Sequence, residues 1–74
     1  MAMMLQEKIA LIEECMDLYE GTLKMEDFLS SYDEWDSVSA LSIIAMIDNR
    51  FNKIVTGNEL KNAKTVSDII ALME

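Results

Sequence analysis

The residues best suited to chemistry in this chain are Asp36-Ser37-Val38. They follow an acidic, turn-rich stretch, Ser30 to Trp35, and open an uncharged segment from Ser37 to Ile47. A serine hydroxyl at a helix start can carry a phosphate, because the free backbone N–H groups and the helix dipole both favour negative charge there. The same residue is also a good N-cap. Ser37 is therefore either an attachment point or a structural cap.

Other chemistry is poorly supplied. The chain has no histidine and one cysteine, Cys15. The usual base for activating a serine or cysteine is missing, so no enzyme active site is expected. A zinc cluster and an internal disulfide are excluded on the same residues. Glu13-Glu14 and Asp33-Glu34 are adjacent pairs, and adjacent residues on a helix do not face each other; they read as solvated charge. The acids from Asp33 to Asp36 lack the alternation, central glycine and terminal glutamate of a calcium loop. No glycine-rich phosphate loop or dinucleotide fingerprint is present.

The net charge of −8 is unevenly spread. Residues 1–36 hold ten acids and two lysines, whereas residues 37–74 hold four of each sign. Nucleic acid, which requires a basic surface, is excluded as a partner. Basic protein partners fit, through steering by the acidic half. A reducing, cytoplasmic setting suits the single cysteine. No signal peptide is expected, since the first residues are not basic and no cleavage pattern follows an apolar run. The uncharged run is too short for a membrane span, which needs about 20 residues. Seventy-four residues make one domain, 1–74, which buries roughly 60% of its unfolded surface. A monomer is expected.

Four helices are expected to position Ser37. Leu5, Ile9, Ile12, Met16 and Tyr19 form one face of a first helix, about Met3 to Glu20, stopped by Gly21. Cys15, beside that face, reads as a small buried apolar residue. Residues 22–36 read as a long loop pinned to the core by Phe28 and Leu29, with Tyr32 and Trp35 as further pins. Trp35 is also placed to shape the helix entrance. The second helix starts at Asp36 or Ser37 and runs to about Asn49. Ala40, Ile43, Ile44, Ile47 and Phe51 form its buried stripe. Val38, Leu41 and Ala45 form a second stripe, either an exposed contact surface or packing against further neighbours. Thr56 to Glu59 matches a capping box before a short helix, Asn58 to Asn62. Thr65 caps a last helix carrying Val66, Ile69, Ile70 and Met73. The fold class is all-α, a small four-helix bundle of three longer helices and one short one.

This order resembles the acyl carrier proteins over essentially the whole chain. An Asp-Ser-Val triplet lies near the midpoint, after a long loop and at a helix start. Phe51 ends that helix, a short capped helix follows, and Thr65-Val66 opens the last. The resemblance implies an acyl-carrier-like fold with 4′-phosphopantetheine joined to Ser37 as a phosphodiester, Asp36 beside it. A separate, magnesium-dependent phosphopantetheinyl transferase would attach it from coenzyme A. The arm's thiol would hold an acyl or aminoacyl group as a thioester. Val38, Leu41 and Ala45 would contact the loading and transferring enzymes, with Asp33, Glu34 and Asp36 supplying charge. Phe28, Ile44, Ile47 and Ile69 would line an interior slot for the cargo. Val38 stands where the family usually has leucine. Ser39, Ser42 and Arg50 occupy positions that are often acidic. These departures favour a specialised carrier, of a polysaccharide-modifying, secondary-metabolite or aminoacyl-transfer pathway, over the main fatty-acid carrier. The segment Glu34 to Val38 also looks like stand-alone carriers of such pathways. The alternative is a helical docking module with no prosthetic group, in which Ser37 is only a helix cap.

Overall fold

A computed structural model describes residues 4–73 of the chain. It has four α-helices among these residues: α1 (Leu5–Cys15), α2 (Ser37–Phe51), α3 (Gly57–Asn62) and α4 (Val66–Leu72). A single 3-10 turn, Leu29–Ser31, interrupts the long loop before α2. No strand occurs among the described residues; one isolated antiparallel bridge joins Phe28 to Thr65. α1 packs on α2 and α4, and α3 packs on α2. The Cα radius of gyration is 11.0 Å, close to the value of about 11 Å for one folded domain of this length.

α1 is shorter than its apolar spacing predicts. The expected start at Met3 lies outside the described residues. At the other end Asp17 adopts a left-handed conformation, with φ of 59°. Leu18 N–H then donates to Glu13 O at 2.8 Å and Asp17 N–H to Glu14 O at 3.2 Å, the two bonds of a Schellman stop. Aspartate tolerates this conformation better than most residues. Tyr19, expected on the buried face, lies beyond the stop and is 90% exposed. Gly21 sits in a later turn, at φ 90°. Cys15 is half-buried against the core, and burial, followed by the charge of Glu14, raises its pKa.

The other helices begin on local caps. Thr56 accepts from Glu59 N–H at 3.2 Å, and Glu59 Oε1 accepts from Thr56 N–H at 3.1 Å. Thr65 and Asp68 repeat the reciprocal arrangement at α4. α2 runs two residues past Asn49 and ends before Asn52, which is left-handed at φ 57°. The buried stripe of α2 lies as expected: Ile43 and Ile47 are fully buried, with Ala40, Ile44 and Phe51 partly so. Ile12, Leu29, Leu60, Val66 and Ile69 complete the centre of the core.

The loop from Met16 to Asp36 is held by backbone as much as by apolar pins. Leu29 N–H donates to Lys64 O, Val66 N–H to Asp27 O and Ser67 N–H to Met25 O, at 2.9–3.1 Å. Loop carbonyls thus satisfy two free N–H groups at the start of α4. Leu29 is buried, as expected, but its neighbour Phe28 is 58% exposed. The bridge to Thr65 turns successive side chains to opposite sides, so only one of the pair can enter the core.

Glu13 also departs from expectation. It is not solvated charge: it is 2% exposed, and its Oε2 accepts from Leu23 N–H at 2.8 Å. The carboxylate ties the loop to α1 and satisfies a buried backbone donor. Glu13→Ala is expected to lower the unfolding free energy by about 2 kcal/mol, because a hydrogen bond to a charged group is lost and a buried N–H is orphaned. Glu13→Gln, which keeps an acceptor, should lose clearly less. Urea unfolding of the three proteins measures the difference.

Candidate functional site

The local chemistry at the start of α2 fixes where Ser37 stands. Asp36, not Ser37, is the N-cap. Its Oδ1 accepts from Ser39 N–H at 2.9 Å. Ser39 Oγ accepts in return from Asp36 N–H and donates to Asp36 O, both at 3.0 Å. This is a capping box with serine in the role usually given to glutamate or glutamine. Ser39 is buried by it, so it does not belong to the exposed surface of α2. Sequence reasoning missed this role, although an Asp-x-x-Ser spacing was visible.

Ser37 is consequently the first residue of α2 and is exposed. Among the described residues its hydroxyl makes no hydrogen bond; the cap is complete without it. The possible role of Ser37 as helix cap is thereby corrected.

Trp35 precedes the cap and is partly buried against the core. It occupies the position from which an apolar residue packs toward the second turn of the helix. Beside Ser37 opens a groove of about 410 Å³ lined by Trp35, Asp36, Ser37, Ala40, Leu41, Ile44, Gly57 and Lys61. Its walls come from the loop end, α2 and α3.

The remaining expected site residues fall into three places. Val38 and Leu41 are 70% and 66% exposed, and Ala45 is exposed with them, so the second stripe of α2 faces solvent. Asp33 and Glu34 are exposed on the loop just before the cap. The four residues expected along an interior slot do not stay together. Ile47 and Ile69 are fully buried in the core, and Ile44 is partly buried and lines the surface groove. Phe28 is corrected outright, since its side chain is largely in solvent.

The caps shape the electrostatics. The Ser39 N–H holds the Asp36 carboxyl below the ordinary aspartate range. The Lys64 and Thr65 N–H groups do the same for Asp68. The hydrogen bond to Asp27, 2.8 Å long, raises the Tyr32 phenol. A carboxyl whose pKa is lowered by folding contributes stability above its unfolded pKa. That contribution is lost as the pH falls through the lowered folded value. Acidification through and below the ordinary aspartate range should therefore fray the first turns of α2 and α4. Asp36→Asn, which keeps a good cap, should leave neutral-pH stability nearly unchanged. It should also remove the acid-dependent loss of protection at Ser39 N–H, read by NMR as the exchange rate relative to that of an unstructured amide at the same pH.

Among the described residues no three acidic or cysteine side chains gather to hold a metal ion. No helix among them is long and apolar enough to cross a membrane. Compared with protein-family models, curated proteins and solved structures, the chain finds no significant match.

Proposed function

We propose that this chain is a carrier protein whose Ser37 receives 4′-phosphopantetheine. The observation that supports this most directly is the division of labour at the start of α2. Asp36 and Ser39 complete the cap, which leaves an exposed serine hydroxyl with no structural task at the N-terminal end of α2. The residues fit the group. Ser37 offers the nucleophilic oxygen, the first turn of α2 favours the phosphate, and the groove alongside has apolar walls. When bound, the group supplies a terminal thiol that holds an acyl or aminoacyl cargo as a thioester. The chain itself contributes placement and recognition. No base is needed on it, because the attaching transferase supplies the catalysis.

In this reading Val38, Leu41 and Ala45 form the apolar surface read by the transferase and by enzymes that load or receive cargo. Asp33 and Glu34 add negative charge at one end of that surface. Asp36 adds its charge as well, but its carboxylate is engaged in the cap. The only charged residues of α2 are Asp48 and Arg50, of opposite sign and both exposed, and Arg50 lies on the α1 side. A partner should therefore bind α2 mainly through apolar contact. This favours a specialised pathway over bulk fatty acid synthesis.

The same exposed stripe supports a second reading, a docking module without a prosthetic group. Site mapping separates the two. After incubation with coenzyme A, magnesium and a phosphopantetheinyl transferase, peptide mass spectrometry should find the group on Ser37. It should be absent from the other serines, Ser30, Ser31, Ser39, Ser42 and Ser67. Attachment elsewhere, or none, contradicts the carrier reading.

A further inference from the structure

The groove beside Ser37 is electrically lopsided. On the loop side the groove is lined by Asp36, which follows the exposed acids Asp33 and Glu34 in the chain. On the α3 side stands Lys61, also exposed and, among the described residues, the only cation lining the groove. The carboxylates nearest in sequence to the two helix starts are already engaged: Asp36 accepts from Ser39 N–H, and Glu59 from Thr56. Between the charged ends the walls are Trp35, Ala40, Leu41 and Ile44. Any anion joined to Ser37 is repelled from the loop and attracted toward α3. Screening over a Debye length of about 8–10 Å leaves such a short-range bias in place at physiological salt.

We propose that Lys61 is the positioning residue for the phosphodiester formed at Ser37. It draws the attached arm along the apolar groove toward α3 and away from the acidic loop. The inference rests on the carrier reading of Ser37 and adds to it a residue of α3. Lys61 does not touch the reacting atoms; it sets where the arm lies between deliveries. An exposed pair of this kind shifts a docked-to-free equilibrium by up to about fivefold, so the arm stays releasable to a partner enzyme.

The test uses Trp35, the only tryptophan in the chain and a wall of the groove. The unmodified protein and the phosphopantetheinylated protein with a free thiol are prepared for the parent, Lys61→Gln and Lys61→Arg. Intact mass reads loading separately for each. Acrylamide quenching of Trp35 then reads whether the arm covers the groove. The free-thiol form carries no cargo, so the anion tested is the phosphodiester and not a cargo carboxylate. The expected result is weaker quenching after loading in the parent and in Lys61→Arg. That difference should be largely lost in Lys61→Gln and in the parent at high salt. Equal quenching before and after loading in the parent would overturn the inference while leaving the carrier reading intact. So would protection that survives Lys61→Gln unchanged. Failure of all three proteins to load, with a transferase that modifies a control carrier, would instead overturn the carrier reading and the inference with it.

Discussion

Ser37→Ala is expected to abolish attachment of phosphopantetheine completely while changing the unfolding free energy by no more than about 0.5 kcal/mol, the range of ordinary surface substitutions. The first half follows from chemistry: the hydroxyl oxygen is the bond-forming atom, and alanine has none. The second half follows from the cap. Had Ser37 been the N-cap, its loss would cost about 1 kcal/mol. In this structure that cost belongs to Asp36, whose Oδ1 takes the Ser39 N–H. Asp36→Ala is thus the matched control, with the larger loss of stability and Ser37 still present. Urea unfolding and intact mass on the two variants separate the roles. A Ser37→Ala protein destabilised as much as Asp36→Ala would show that the hydroxyl is structural after all.

The second large effect concerns Ile47. The family resemblance places it along a slot for cargo, but the side chain is fully buried with Ile43, Leu60 and Ile69. Truncating such a residue removes transfer free energy and leaves a cavity, so Ile47→Ala should cost about 2–5 kcal/mol. A 74-residue domain has roughly 4–11 kcal/mol of stability in total, so the variant should unfold at much lower urea or not fold at all. Ile47→Val should cost only about 0.5–1.5 kcal/mol and keeps the comparison measurable. If Ile47 instead bordered an open slot, truncation would enlarge that slot at little cost. A loss below that of Ile47→Val would therefore contradict its position in the core.

What could be read from sequence was mostly local. Thr56 with Glu59 is a contact across three residues, as is that of the expected cap Thr65 with Asp68, and such spacing survives in one dimension. The two stripes of α2 were equally readable, because helical period alone separates Ile43 and Ile47 from Val38 and Leu41. Failures came where a partner lies far along the chain. Glu13 is buried because Leu23 N–H meets it, ten residues on; charge adjacency to Glu14 suggested the opposite. Phe28 is exposed because the bridge to Thr65 turns it outward, which apolar character could not reveal. The end of α1 was misplaced for a different reason. Gly21 offered the stronger stop signal, but Asp17 took the left-handed position first and closed the helix one turn earlier. At the site itself the triplet was visible, while the assignment of the cap was not. Asp36 and Ser37 are both acceptable caps, and only the Ser39 hydrogen bonds decide between them. The groove was invisible because it joins Trp35 to Lys61, which are on different elements and meet only when α3 packs on α2.

The central claim is that the free hydroxyl of Ser37 is an attachment point. Intact-protein mass spectrometry tests it most directly, before and after incubation with coenzyme A, magnesium and a broad-specificity phosphopantetheinyl transferase. The account predicts a gain equal to one phosphopantetheine in the parent and none in Ser37→Ala. No gain in a folded parent sample that was unmodified at the outset, beside a control carrier that the same transferase modifies, would contradict it and favour the docking module.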